Sequence, residues 1–262
     1  VLLLPQPYKL IGAAVATAMS QVVGGVIPIF YFGRKNNSIL RIGKAKLDVR
    51  AIFKAVTNGS SEFMTNVSMS VVGMLYNIQL LEYAGENGVA AYGVMMYVSM
   101  IFAAMFIGYS IGVAPVIGYH DGAQNHAELR GLLRRSTVLI GGFGVSMVVA
   151  GEVLATPLAR LFVGYDAALS DMTVSGLRIF ALSFLFMGYA IFGSSFFTAL
   201  NDGLTSALIS FLRTLVFQVA AVLLLPLVFG IDGIWYSIIV AELMAMMLSA
   251  AFVVAKRNKY HY

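Results

Sequence analysis

The sequence predicts an all-α integral membrane protein with about seven transmembrane helices. Of its 262 residues, 60% are hydrophobic and 11% are charged, whereas soluble domains carry roughly 25% charged residues. Apolar runs of about 20 residues, long enough to cross a hydrocarbon core of ~30 Å, recur along the whole chain. The mean hydropathy of +0.86 agrees with this interpretation. Because so few charges cannot cover a water-soluble surface, the composition excludes a soluble globular domain.

Each apolar run ends at charged or turn-forming residues, which mark where the chain leaves the hydrocarbon. In chain order, the predicted spans are residues 10–32, ending at a basic segment; 52–81, ending at an acidic turn; 89–119, ending before Asp121; 137–162, ending before Gly164; 172–200, ending at Asn201; 204–229, ending at Gly230; and 233–255, ending at a basic tail. Several runs exceed the length of one crossing, so we expect tilted or bent helices. Pro115 and Pro157 mark positions where local breaks are expected.

Basic residues cluster at alternate connections, and this pattern predicts the orientation of the chain. They are Arg34, Lys35, Arg41, Lys44, Lys46, Arg50, Lys54, Arg130, Arg134, Arg135, Lys256, Arg257 and Lys259. The positive-inside rule assigns these connections to the cytoplasm. Crossings that start outside place every cluster on that side, so the C-terminus is predicted to be cytoplasmic. A net charge of +5 that is distributed in this way does not indicate a nucleic-acid partner.

The longest polar stretch, residues 33–50, is predicted to be a cytoplasmic linker between two helical bundles. Residues 1–32 then hold the last helix of one lobe, and residues 51–262 form a six-helix lobe. A faint internal repeat supports this division, because segments 12–21 and 233–242 both open with Gly and carry Gln or Glu nine residues later. Such a pattern fits a parallel duplication. The chain opens inside an apolar run without an initiator Met, so we expect it to be part of a longer protein.

A polar stripe along the second span is the main candidate site. It consists of Asn58, Glu62, Asn66, Ser70, Gly73 and Asn77. Spacings of three and four residues place them within about 120° of one helix face, over roughly 28 Å of its length. Such a stripe cannot face lipid, so we expect it to line a hydrated cavity or to pack against another polar helix.

Glu62, Asn66 and Asn58 are the candidates for cation or proton coupling, because oxygen ligands suit Na⁺ and a desolvated carboxylate binds H⁺. An alternative is that Glu62 lies at the cytoplasmic interface. Ser70 and Asn77 are candidates for the wall of the cavity. Tyr76, Tyr97 and Tyr189 join them, since aromatic faces attract cations.

Arg213 and Glu242 fall deep in the last two predicted spans. A charge in the membrane costs several kcal/mol unless it is paired or hydrated, so we expect these residues to form an interhelical ion pair with a structural role. The chain has no Cys, and its three His lie in loops or in the tail. We therefore predict no metal site and no membrane enzyme.

Several segments together resemble the MATE (multidrug and toxic compound extrusion) transporters. They are GENGVAAYGV at 85–94, IGVAPVIGYHDGAQNHAELRGLLRRS at 111–136, PLARLFVGYD at 157–166, SGLRIFALSFLFMGYAIFGSSFFTALNDG at 175–203, FLRT at 211–214 and GIWYSIIVAE at 233–242. The resemblance implies a twelve-helix parent with two six-helix lobes, of which this chain would be the last helix of the N-terminal lobe, the linker and the C-terminal lobe.

The resemblance also implies an antiporter in the plasma or inner membrane that exports cationic or amphipathic drugs or metabolites in exchange for Na⁺ or H⁺, without a cofactor. Its partners would be the lipid bilayer, a small cationic substrate and the N-terminal lobe of the same polypeptide. In relatives, an acidic residue in the second span contributes to ion binding. The best matching position here is Asn66, with Glu62 one turn earlier.

The alternative is a flippase for a lipid-linked saccharide, since such transporters share the two-lobe architecture. A pyrophosphate group needs several cationic side chains. This half of the expected transporter offers Arg213 alone at depth, so the sequence favours the antiporter.

Overall fold

The computed structural model describes residues 9–34 and 48–262, and within these ranges all regular secondary structure is helical. The chain divides into two compact units, Val1–Val49 and Arg50–Tyr262. The first unit contains helix α1 (Lys9–Gly33), whose apolar side chains are almost all exposed. Most of the predicted linker, at residues 35–47, lies outside the described residues.

Helix α2 (Val49–Asn58) is followed by α3 (Ser60–Gly122), which is a helical hairpin. A straight helix of 63 residues would be roughly 95 Å long, about three times the hydrocarbon thickness. Gly85 interrupts it with φ 63 and ψ −156, a backbone conformation open to a residue without Cβ. Tyr76 and Tyr92, on opposite sides of Gly85, stack with ring centroids 5.0 Å apart, whereas a straight helix would separate them by roughly 24 Å. The chain therefore reverses direction at Gly85.

The next three helices are α4 (His126–Val163), α5 (Ala167–Ala181) and α6 (Phe184–Ala199). Asn125 caps α4 by accepting from the Glu128 amide at 3.2 Å. The side chain of Asp166 caps α5 in the same way, so this helix begins before the predicted start of the span. Helices α5 and α6 meet at an angle of 50° and form one broken span.

The last two spans contain a π-helical segment and a sharp turn. The elements are α7 (Gly203–Phe211), the π segment (Leu212–Phe217), α8 (Gln218–Leu224), α9 (Pro226–Phe229), α10 (Ile231–Ala255) and α11 (Arg257–Tyr260). Gly230, at φ 59, turns the chain between α9 and α10. A Cβ on Gly233 would lie 2.5 Å from the Leu225 carbonyl oxygen, so the two arms touch through backbone here.

The core of the second unit is built mainly from α3, α6 and α10. Its largest buried side chains include Phe106, Phe184, Phe196 and Phe197. Glycine permits the closest helix approach: a Cβ on Gly188 would lie 2.5 Å from the Phe106 ring. Large apolar side chains cover much of the outer surface, which suits contact with acyl chains.

The count of spans confirms the predicted fold class. Five described helices are long and apolar enough to cross a membrane, and the bent pair of α5 and α6 makes six. Gly85 divides α3 into two arms that each exceed one crossing, which brings the count to the expected seven. The breaks expected at Pro115 and Pro157 are wrong, because both prolines lie within helices. Transmembrane helices tolerate Pro when neighbouring groups satisfy the freed carbonyl.

Candidate functional site

Arg213 and Glu242 form a bidentate ion pair inside the second unit. The Nε atom of Arg213 donates to Glu242 Oε2 at 2.9 Å and to Oε1 at 3.2 Å, and Nη2 donates to Oε1 at 2.9 Å. The exposed fraction of the side chain is 15% for Arg213 and 1% for Glu242. The carboxylate is therefore enclosed, and the pair has its cationic end towards the surface of the lobe. Three charge-assisted hydrogen bonds offset part of the cost of removing both charges from water.

The π segment places Arg213 opposite Glu242. Arg213 is its second residue, and the segment packs against α10 and α3. Thr214 donates to the Ser210 carbonyl oxygen at 2.6 Å, which satisfies a backbone acceptor where the α-helical ladder changes. Single π turns in helices occur often at functional sites. The ion pair and the irregular backbone thus coincide.

Tyr76 ties α3 to α10 close to this pair. Its hydroxyl lies 2.6 Å from Ser237 Oγ, and its ring stacks on Tyr92. Because its exposed fraction is only 1%, Tyr76 lies inside the bundle and not on the surface of the lobe. Tyr97 is 66% exposed. Tyr189 is half-buried, with its hydroxyl in the space that a Cβ on Gly141 would take.

Helices α6 and α7 are joined by a hydroxyl column, defined here as Thr198, Ser206, Ser194 and Ser210. Thr198 Oγ1 lies 2.6 Å from Ser206 Oγ. Ser194 Oγ continues the column, 2.9 Å from Ser206 Oγ and 2.8 Å from Ser210 Oγ. Each hydroxyl can donate and accept, so the column can reverse the direction of all its hydrogen bonds.

The described side chains of the polar stripe lie on the outside of the second unit. Asn66, Ser70 and Asn77 are exposed, whereas the row Ser68, Val72, Tyr76 and Leu80 is buried. Ser70 donates to the Asn66 carbonyl at 3.3 Å, and Asn77 Nδ2 donates to the Gly73 carbonyl at 2.8 Å. By backbone position, Asn58 ends α2 and Glu62 lies in the first turn of α3.

An open groove of about 780 Å³ lies between the two arms of the α3 hairpin. Its polar residues are Asn77, from the polar stripe, and Glu86, next to the turn at Gly85. Apolar side chains form the rest of the lining: Met74, Ile78, Leu81, Val89 and Ala90. A groove of this size with one carboxylate suits an apolar cation.

The C-terminal helix α11 is fixed to the turn between α6 and α7 through Asp202. Lys256 Nζ donates to Asp202 Oδ2 at 2.6 Å, and the Tyr260 hydroxyl donates to the same oxygen at 2.8 Å. Asp202 also caps α7 by accepting from the Thr205 amide at 3.3 Å. Burial raises the pKa of the Asp202 carboxyl, but the hydrogen bonds from Lys256, Tyr260 and Thr205 outweigh it and lower the pKa to about 2.

We expect acid to release α11. The pKa of Asp202 is lower in the folded chain than its ordinary value of 3.8, so its stabilising effect is complete above that pH and is lost as the pH falls towards 2. Thermal unfolding midpoints measured in detergent across this range should fall with pH. Asp202→Asn should lower the midpoint at neutral pH and flatten the pH dependence. An Asn variant with the wild-type pH profile would contradict this assignment.

The residues of the described ranges offer no group of three or more His, Cys, Asp or Glu that could hold a metal ion. Glu86, Asp202 and the hydroxyl column were not among the sequence candidates. Glu86 had a usable signal, since it is an acid next to a predicted turn. The hydroxyl column had none, because Ser and Thr are common in membrane helices and sequence alone does not show which of them meet.

Comparison with known proteins gives consistent matches. The family model described as MatE matches residues 63–224. The Multidrug export protein MepA of Staphylococcus haemolyticus (strain JCSC1435) is 26% identical over 251 residues, which cover 95% of this chain and 54% of that protein. MepA of Staphylococcus aureus (strain bovine RF122 / ET3-1) is 22% identical over 252 residues, covering 96% and 55%. The chain therefore spans about half the length of the curated relatives it matches.

Solved structures share this fold. A crystal structure of MATE in complex with MaL6 superposes with a TM-score of 0.84 at 20% identity, covering 97% of this chain and 58% of that one. The outward-facing conformation of a multidrug resistance MATE family transporter of the MOP superfamily gives a TM-score of 0.82 at 21% identity, covering 97% and 58%. Together with the apolar helices, these matches identify a multi-pass membrane protein.

Proposed function

Because this chain belongs to the MATE family, we propose that it forms the C-terminal lobe of a secondary active antiporter that exports cationic or amphipathic drugs or metabolites in exchange for Na⁺ or H⁺. Residues 1–32 would be the last helix of the N-terminal lobe, and residues 33–50 the cytoplasmic linker. Residues 51–262 would form the C-terminal lobe. Its partner is then the N-terminal lobe of the same polypeptide, in a plasma or inner membrane with the C-terminus in the cytoplasm.

One observation carries this proposal: polar side chains are exposed along a helix of a lobe whose outer surface is otherwise largely apolar. Asn66, Ser70 and Asn77 are the exposed members. Amide groups on a membrane-embedded surface need a hydrated cavity or a protein partner. A cavity between two lobes meets this need, and the exposed Tyr97 and the half-buried Tyr189 add aromatic faces on the same unit.

In this proposal, Glu62 is the coupling carboxylate, with Asn66 and Asn58 one turn away on either side. The ion and the drug must bind the inward-open and outward-open arrangements unequally, because a ligand shifts an equilibrium only by its difference in affinity. The groove between Asn77 and Glu86 supports a cationic substrate, since a carboxylate within an apolar lining favours an apolar cation.

Export of ethidium, an apolar cationic dye, from vesicles that contain the native transporter tests this proposal. We expect export to depend on an imposed Na⁺ or H⁺ gradient. Glu62→Gln should reduce it to the rate of vesicles without transporter, because an amide cannot exchange a proton or neutralise a cation. Glu152→Gln is the matched control, since Glu152 is 44% exposed and lies 3.6 Å from Arg178. Unchanged gradient-driven export by Glu62→Gln would remove the coupling role.

The flippase alternative has less support. Arg213 is bound by Glu242, so its charge is already neutralised within the lobe. Recognition of a pyrophosphate would require breaking this pair or cations from elsewhere in the polypeptide. Stimulation of vesicle transport by a lipid-linked saccharide, without any effect of cationic dyes, would reverse this preference.

A further inference from the structure

The hydroxyl column links two charged groups of the second unit. One end lies beside Asp202, which precedes Thr205 and Ser206 at the start of α7. The other end, Ser210, lies one turn before Arg213 and Thr214. Asp202 and Arg213 are separated by roughly 17 Å along the helix axis, about half of a hydrocarbon core of ~30 Å. The column thus extends from the end of the lobe to the depth of the ion pair.

Hydroxyl groups that only hold two helices together need pairs and not a connected series. Here Ser194 contacts both Ser206 and Ser210, and Ser206 contacts Thr198. Ser195, the neighbour of Ser194, donates to the Ser110 carbonyl oxygen at 3.3 Å. The buried hydroxyl of Ser110 has no hydrogen-bond partner among the described residues, which leaves a further donor and acceptor beside α6.

Glu242 is the titratable group at the inner end. The titratable and charged side chains facing it are Arg213 from the π segment and Tyr76 from α3, whose hydroxyl contacts Ser237. A carboxylate that is enclosed with one cation has two low-energy conditions: ionised and paired, or protonated with the cation moved into water. The 15% exposure of Arg213 and the irregular π segment allow the second condition.

We propose that the hydroxyl column conducts protons between the Asp202 end of the lobe and Glu242, which binds and releases one proton during transport. The inference rests on the proposed export function and adds a second coupling group to it. A proton that arrives converts the carboxylate of Glu242 to a carboxylic acid. The guanidinium keeps its protons, so the pair changes from neutral to a charge of +1, and Arg213 turns towards water. Release reverses both changes.

The column is tested in vesicles that contain the native transporter, with a pH-sensitive dye inside and ethidium as substrate. Removing two hydroxyls by Ser194→Ala with Ser210→Ala should reduce the proton flux that accompanies ethidium export about tenfold. The affinity for ethidium should stay at the wild-type value. Thr173→Val is the control, because the Thr173 hydroxyl is buried and donates to its own helix at Leu169. Wild-type proton flux in the double variant would overturn the pathway.

Infrared difference spectra test the proton site itself. Lowering the pH should produce the C=O band of a protonated carboxyl, and the band should be absent from the neutral double variant Arg213→Gln with Glu242→Gln, which leaves no buried charge unpaired. A band that persists in the folded double variant overturns this inference. The spectra do not require export, so a wild-type protein that shows the Glu242 band without exporting ethidium contradicts the proposed function alone. An exporter without the band contradicts the inference alone.

Discussion

Glu242→Ala is expected to destabilise the folded protein by about 3–5 kcal/mol, because it leaves the guanidinium of Arg213 without its partner in a low-dielectric interior. The three hydrogen bonds between these side chains would be lost together. Arg213→Ala should be at least as damaging, since it leaves a carboxylate that is 1% exposed without a cation. Thermal unfolding in detergent, followed by circular dichroism, measures both effects.

The double variant Arg213→Met with Glu242→Leu is the control for this prediction. Replacing both charges with apolar side chains of similar size removes the interaction and its desolvation cost, so its stability should lie near the wild-type value. A double-mutant cycle then gives the coupling energy of the pair. If Glu242→Ala and the double variant lose the same stability, the pair contributes nothing beyond the volume of its side chains.

Gly193→Ala is expected to destabilise the contact between α6 and α10 by about 1–3 kcal/mol, because it overpacks a closed interface. A Cβ at this position would lie 1.7 Å from Ser249 Oγ and 3.0 Å from Ser249 Cβ. Ser249 is 3% exposed, so its hydroxyl has little room to turn away. The measurement is again the midpoint of thermal unfolding, together with the yield of folded protein.

Two further variants show whether the clash is responsible. Adding Ser249→Gly to Gly193→Ala should recover much of the loss, because the nearest remaining Ser249 atom is then Cα at 3.9 Å. Gly142→Ala, in α4, is the control, since a Cβ there meets nothing within 4 Å. Its effect should stay within about 0.5 kcal/mol, and the helix propensity of Ala favours a small gain. Equal destabilisation by both Gly→Ala changes would show that the contact with Ser249 is not the cause.

Hydropathy and pairing rules predicted the coarse features of the molecule. The spans follow from apolar length and from the charges that bound them, which is why the fold class was correct. The proximity of Arg213 and Glu242 also follows from elementary physics, because two isolated charges at the same depth of adjacent spans must neutralise each other. Neither argument needs a tertiary contact to be known beforehand.

Other features depend on contacts that the sequence does not reveal. Tyr76 was a candidate for the cavity wall, yet its hydroxyl meets Ser237, 161 residues further along the chain. The bend between α5 and α6 and the π segment lie in continuous apolar runs, where helix periodicity gives no signal of a change. The hydroxyl column depends on which faces of α6 and α7 meet, and that is decided by packing over the whole lobe.

The π segment has a consequence for comparing this chain with its relatives. A π turn holds one residue more than the α-helical turn it replaces. Deleting any one residue from Leu212–Phe217 would let α7 and α8 merge into a regular helix and would rotate one of them by about 100° relative to the other. Homologues with a one-residue alignment gap at this point should therefore have lost the Arg–Glu pairing, so the gap itself becomes a marker that separates two subfamilies.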